Sequence, residues 1–296
     1  MSPALVAAAA EAACLFEVQA PKPGNVGRGH DRPDLTYRDF VLSAAALGIV
    51  FRQRARGRVG ALVLETVRAT RRHVPTNTNL GIVLLLAPLA KAALAGGARR
   101  AALRPRLRQV LRGLDRRDAR HAYAAIRLAH PGGLGTVREQ DVRHAPTATL
   151  LQCMRLAADH DAVAREYATG YATTFGLGVP SVRKLRAGGA SMQTAIVETY
   201  LHLLARRPDT LIARRHGTAA AGAVSRSAAA VLRAGATRTP SGRRRLLAFD
   251  RRLRGAKPPL NPGATADLVA ASLFVWFLEE IRKRKGPTTT RSRRRR

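Results

Sequence analysis

Along most of the chain, apolar residues recur three and four positions apart with polar residues between them, the spacing of helices that bury one stripe. The pattern predicts helices over residues 3–20, 37–54, 58–73, 79–95, 99–113, 116–129, 147–173, 190–206, 210–235, 242–254 and 263–284. No stretch alternates convincingly with the period of two that a half-buried strand requires. Glycine and proline break the pattern at Pro21 to Pro33, Pro75 to Thr78, Gly96-Gly97, Pro131 to Pro146, Gly176 to Pro180, Gly188-Gly189, Pro208 and Lys257 to Pro262. The chain therefore reads as all-α: one multi-helix globular domain over residues 1–282, followed by a basic tail over 283–296 expected to be disordered.

Five of the breaks share a character. Pro21-Lys22-Pro23-Gly24-Asn25-Val26, Asn77-Thr78-Asn79-Leu80-Gly81, Pro131-Gly132-Gly133-Leu134-Gly135, Pro208-Asp209-Thr210 and the run from Asn261 to Leu268 are short, polar and glycine- or proline-marked, and most lie at a helix entrance. Glycine permits close approach of backbone to a ligand, and free first-turn amides attract anions. A single phosphate-binding site assembled from helix starts is the reading they suggest.

One helix carries a chemical clue. In 147–173, Leu150, Met154, Ala157, Asp161, Ala164 and Ala168 fall on one stripe, which places the Asp161 carboxylate on the inward face. A buried carboxylate needs a partner, either Arg165 one turn on or a bound cation with its phosphates, and the helix alone leaves both open. Asp115 and Asp118 read as helix caps, and so does Asp209 after Pro208. The histidines show no paired metal spacing, and no Walker A loop, dinucleotide-binding glycine fingerprint or nucleophile elbow is present.

Composition adds bounds. The 296 residues are 46% apolar but only 4% aromatic, which favours close-packed helices over sheet. Cys14 and Cys153 lack metal-ligand spacing and read as small core residues in a reducing compartment. Met1 to Phe16 lacks a basic leader and carries Glu11, so it reads as an amphipathic helix, and Leu80 to Leu89 is too short to span a bilayer. A soluble cytoplasmic protein is expected. The net charge of +33 would attract polyanions, yet the arginines are spread through every segment, as codon bias would spread them. With no binding motif and no aromatic interleaving, a basic nucleic-acid or membrane binding protein is the reading that ranks last.

Taken together, PKPGNV at Pro21 to Val26, NTNLG at Asn77 to Gly81, PGGLG at Pro131 to Gly135 followed by Asp141, and NPGATADL at Asn261 to Leu268 resemble, in order and spacing, the triphosphoribosyl-dephospho-coenzyme A synthase family. Glu17 in the LFEV stretch, Met154, Asp161 with Arg165 and Tyr167, the run DTLIARRHG from Asp209 to Gly217, and Asp250 with Leu253 and Arg254 support the likeness. Gly27 stands where many members have histidine, Arg214-Arg215 where many have Arg-Lys, and Ala264 where a small polar residue is usual. The LLAFD stretch ending at Asp250 and the run Thr147 to Met154 resemble members linked to tetrahydromethanopterin-dependent one-carbon metabolism, so a paralogous transferase in that cofactor's synthesis is the alternative.

The resemblance implies an all-helical transferase that joins ATP to 3′-dephospho-coenzyme A and releases adenine, making a prosthetic-group precursor. Breaking an N-glycosidic bond builds positive charge on the sugar, which carboxylates stabilise, while a triphosphate calls for cations and amide donors. Asp34, Asp141, Asp161 and Asp267 are the candidate catalytic carboxylates, with Asp161 and Asp141 as candidate ligands of Mg2+. Lys22, Arg214 and Arg215 are the candidate phosphate cations, with Asn25, Asn77, Asn79 and Asn261 orienting the nucleotide and Gly24, Gly81, Gly132, Gly133 and Gly263 giving it room.

Overall fold

The computed structural model describes residues 1–32, 34–95 and 102–284. Fourteen α-helices follow one another among these residues: α1 (Pro3–Gln19), α2 (Tyr37–Arg54), α3 (Val59–Arg71), α4 (Leu80–Leu94), α5 (Leu103–Arg112), α6 (Arg116–Ala129), α7 (Leu150–Ala157), α8 (Ala162–Thr169), α9 (Val179–Ala187), α10 (Met192–Arg206), α11 (Thr210–His216), α12 (Thr218–Arg233), α13 (Pro240–Gly255) and α14 (Gly263–Arg284). A π-helical turn at Thr174–Gly178 leads into α9. No strand occurs among the described residues, only isolated bridges at Gly27–His30 and Arg32–Leu35. The fold is all-α, and no described helix is long and apolar enough to cross a membrane.

Local chemistry explains where helices begin. The side chains of Ser2, Thr36, Asp115, Thr149, Asp161, Ser191, Asp209 and Thr239 accept first-turn amides that no helical carbonyl can reach. Asp115 and Asp118 form a reciprocal capping box at α6, as their spacing suggests.

Three expectations need correction. The predicted helix 147–173 is two helices, because Asp161 turns out of the helix and caps α8 instead of lining its inner face. The span 210–235 divides at Gly217, whose φ of +88° ends α11 and opens α12. The supposed break at Gly176 to Pro180 is helical, with the buried Glu166 carboxylate taking the Thr173 and Thr174 amides at 2.9 and 2.8 Å. Helix α14 spans the expected 263–284 and so takes in Lys283 and Arg284; the rest of the expected tail, 285–296, lies outside the described residues, as do 99–101 of the helix expected at 99–113.

The core is built around α4, which is buried on nearly every side and packs against α1, α3, α5 and α14. Pro88 inside α4 has no N–H, so the Leu84 carbonyl loses its helical donor. The buried Tyr167 hydroxyl supplies one at 2.6 Å, and Tyr171 donates to the next carbonyl, Leu85, at 2.8 Å. These two bonds hold α8 to the hydrophobic centre and so fix the position of its first residue, Ala162, and of Asp161 before it. Helix α1 also packs against α2, α10 and α14, so it is more fully buried than an amphipathic surface helix. Cys14 and Cys153 are buried and unpaired.

Candidate active site

The starts of four helices meet at one corner. Asp209, buried, caps α11 with one oxygen and reaches α14 with the other. Its Oδ1 accepts the Leu211 and Ile212 amides at 2.9 and 3.0 Å, and its Oδ2 accepts the Thr265 amide and hydroxyl at 2.7 and 2.8 Å. Thr210 beside it takes the Ala162 amide at the start of α8, at 3.1 Å. Asp161 caps α8 through the Ala164 amide at 2.9 Å, and its Oδ2 pairs with Arg214 Nη1 of α11 at 2.5 Å. The fourth helix, α4, joins through a glycine. A Cβ on Gly81 would lie 2.1 Å from Oδ2 of Asp267, so only glycine lets the α14 carboxylate rest on the first turn of α4.

That turn is not closed by a side chain. Asn77 accepts the Leu80 amide at 3.1 Å, but Asn79, at the cap position, spends its amide on Thr70 at 3.0 Å. Among the described residues, the Gly81 and Ile82 amides have no acceptor. Free amides at a helix start are donors for an anion.

Charge at this corner is unevenly satisfied. Burial raises the pKa of Asp209, opposed by the donors on its oxygens. Burial raises that of Glu17 too, opposed by Lys22. Asp267 is pushed well above the ordinary carboxylate range, first by burial and then by the carboxylates of Glu17, Asp209 and Asp161, with Arg214 alone pulling the other way. It accepts no hydrogen bond from any described residue and keeps partial access to solvent. On the opposite side of the ledger, Arg214 Nε is buried without an acceptor.

The first motif folds onto the last. The Gly24 amide donates to Asp250 at 2.8 Å, Asn25 Nδ2 to Asn261 Oδ1 at 2.9 Å, and Arg254 spans Asp250 and the Asn25 carbonyl. Tyr200 of α10 donates to the Pro23 carbonyl at 2.7 Å and pins the segment from beneath. Gly263 lies against Leu211 and beside Asn261, which brings α14 close to α11. Asn25, Asn261, Gly24 and Gly263 are thus brought together, next to Asp209 and Asp267.

Other candidates stand elsewhere or are already engaged. Lys22 is fully buried with its Nζ 2.9 Å from Glu17 Oε1 and bonded to the Glu17 and Ala20 carbonyls, so it positions Glu17 and does not face a phosphate. Asp141 is held bidentately by Arg143 at 2.8 and 2.7 Å and caps its own loop, which keeps its carboxyl far below the usual range. Asp34 is mostly exposed on the loop before α2, 3.6 Å from Arg32. The partner of Asp161 is Arg214, while Arg165 turns to the Asp159 carbonyl. The Pro131–Gly135 loop does approach the site, since Gly132 and Gly133 lie against Arg215 and Arg214. No group of three or more His, Cys, Asp or Glu side chains among the described residues is placed to hold a metal ion.

Thr210 and Thr265 fall inside the singled-out segments, but the sequence assigns no role to them, and Tyr200 falls in none. All three act through long-range hydrogen bonds, and threonine and tyrosine inside an apolar helical run look like ordinary packing residues. Only the adjacency of Thr210 to Asp209 was a local signal.

Comparison with known proteins bears on the family and the fold. The CitG family model, described as ATP:dephospho-CoA triphosphoribosyl transferase, matches residues 3–286. A crystal structure from Archaeoglobus fulgidus, described as a candidate triphosphoribosyl-dephospho-CoA synthase, superposes with a TM-score of 0.62 at 29% identity, covering 80% of this chain and 97% of that one. A Pseudomonas putida protein provisionally named 2-(5''-triphosphoribosyl)-3'-dephosphocoenzyme-A synthase is 38% identical over 113 residues, 38% of this chain and 40% of its own length. One from Pseudomonas aeruginosa with the same provisional name is 39% identical over 98 residues, 33% of each. The matches to these curated relatives thus span well under half of either protein. Because the family model runs through nearly every helix that builds the corner, the chain belongs to the CitG, ATP:dephospho-CoA triphosphoribosyl transferase, family.

Proposed function

We propose that the chain transfers the triphosphoribosyl group of ATP to 3′-dephospho-coenzyme A with release of adenine, and that the corner of helix starts is its active site. One observation carries this reading: among the described residues Asp267 is a carboxylate with no donor, and Arg214, close enough for the charges to interact, keeps a buried Nε–H with no acceptor. An unused base beside an unused cationic donor suits a hydroxyl that must lose its proton next to a polyphosphate.

In this mechanism the acceptor's 2′-hydroxyl oxygen forms a bond to the anomeric carbon of the ATP ribose as the bond from that carbon to adenine breaks. Asp267, with its raised pKa, accepts the hydroxyl proton, and the departing adenine takes up a proton in turn. Positive charge developing on the sugar is offset by the neighbouring carboxylates. Arg214 and the free amides of Gly81 and Ile82 hold the triphosphate, which stays in the product. Magnesium would be held mainly by the phosphates of ATP itself, with Asp161 as the protein oxygen ligand if its Oδ2 exchanges Arg214 for the ion, and when bound it would neutralise phosphate charge.

The test is incubation of the purified protein with ATP, magnesium and dephospho-coenzyme A, followed by mass spectrometry. Free adenine and a coenzyme heavier by a triphosphoribosyl group are expected. Release of ADP or phosphate without adenine overturns the reading.

A further inference from the structure

Resting on that functional reading, the second face of α1 identifies where the acceptor extends. Glu17 and Val18 of the last turn are buried toward the corner, whereas Phe16 and Gln19, three positions apart, open on the other side. There they meet the first turn of α10 and enclose a half-open groove of about 410 Å³, within the size range of small-molecule sites. Its character is mixed. Phe16, Met192 and Ile196 supply apolar walls, Gln19 and Gln193 face it as exposed primary amides, and Arg28 is the one cation of its lining. None of these three polar side chains makes a hydrogen bond or ion pair with a described residue. Pro21, which also lines the groove, opens the segment whose Asn25 is bonded to Asn261, so one short segment links the groove to the corner.

We infer that this groove binds the pantetheine arm of the acceptor, with Arg28 meeting its diphosphate. The arm alternates methylene and methyl groups with secondary amides. Each amide loses water on binding and needs both a donor and an acceptor in return, which a glutamine side chain offers in one group. The apolar stretches fit Phe16, Ile196 and the adaptable Met192. A triphosphate would be poorly served by a single exposed arginine, and the free amides of α4 lie at the corner. Charge complementarity and the amide pairing therefore favour the acceptor's arm over the donor nucleotide.

Titration calorimetry on the full chain tests the assignment with dephospho-coenzyme A, with phosphopantetheine, which carries the arm without adenosine, and with ATP. Gln19 and Gln193 are exposed, so Gln19→Ala/Gln193→Ala is expected to fold as the wild type does. It should weaken both dephospho-coenzyme A and phosphopantetheine by about tenfold and leave ATP unchanged. Weakened dephospho-coenzyme A with unchanged phosphopantetheine would put the adenosine end in the groove and overturn the inference. Weakened ATP, or no change for any ligand, overturns it as well. If the double variant weakens both arm-bearing ligands yet the wild type releases no adenine, the proposed reaction fails while the groove assignment stands.

Discussion

The entrances of α11 and α14 each carry an aspartate at the same corner, yet the two are opposites. Asp209 accepts hydrogen bonds from Leu211, Ile212 and twice from Thr265, so its charge is matched by donors. Asp267 accepts none, lies against Gly81 of α4, and is surrounded by the carboxylates of Glu17, Asp161 and Asp209. Burial raises both pKa values; what separates them is that hydrogen-bond donors oppose the rise at Asp209, whereas neighbouring carboxylates add to it at Asp267. The first carboxylate is a joint between helices. The second is held at a cost to the fold, and it is the group to which the proposed mechanism gives the acceptor's proton.

The largest expected effect comes from neutralising the unsatisfied member. Asp267→Asn should lower adenine release by about 10²- to 10⁴-fold, the usual contribution of a positioned base, while the melting temperature at neutral pH stays level or rises. A variant that keeps wild-type turnover would remove Asp267 from the mechanism. The satisfied member should behave in the reverse manner. Asp209→Ala strands four donors and should cost about 2 to 4 kcal/mol in urea denaturation. Asp209→Asn, still a good cap for α11, should recover part of that loss. If Asp209→Ala melts like wild type, the joint is not what holds α11 to α14.

The contrast between these two residues was only partly visible in the order of amino acids. Glycine, proline and asparagine act through local backbone physics, so the segments at Asn77, Pro208 and Asn261 could be recognised as helix entrances, whereas those at Pro21 and Pro131 follow helix ends; the packing of Gly24 and Asn25 on Asp250 and Asn261 brings the first segment onto the last. What escaped was long-range. Nothing between Ala157 and Asp161 is glycine or proline, so a helix end formed by a capping aspartate looked like a helix interior. Gly176, Gly178 and Pro180 looked like a loop because no local pattern shows a distant Glu166 folding back to receive the freed amides. Lys22 looked like a phosphate cation because lysine is seldom fully buried, and its burial depends on Glu17 turning inward from the preceding helix. All-α architecture was legible from periodicity, whereas the division of labour among carboxylates depends on which donors the tertiary fold delivers.

A smaller effect probes Arg214, the cation that pairs with Asp161 and draws on Asp267. Arg214 reaches Asp161 with Nη1 while its Nε–H is left over. Lysine keeps the charge but cannot serve an anion and a carboxylate from one rigid fork. Arg214→Lys should raise KM for ATP by about tenfold, worth about 1.4 kcal/mol, with kcat changed less. A larger fall in kcat than rise in KM would place Arg214 at the reacting carbon and not on the triphosphate.

The smallest effect separates the two carboxylates by pH alone. Burial and its acidic neighbours raise the pKa of Asp267 in the folded chain, so the folded state keeps this proton to higher pH than the unfolded state does. Between the ordinary carboxylate value and the raised one the unfolded state binds fewer protons, and stability therefore falls as pH climbs through that window. Asp267→Asn has no such proton to lose. Glu17 and Asp209 are shifted in the same direction but remain in both proteins, so to first order they cancel from the comparison. The melting temperature of Asp267→Asn minus that of wild type should consequently start low in acid, where Asp267 is protonated in both states, and increase toward neutral pH. A difference that stays flat across the window would mean that the Asp267 carboxylate is as well satisfied as that of Asp209, and the basis for treating it as the base would be gone.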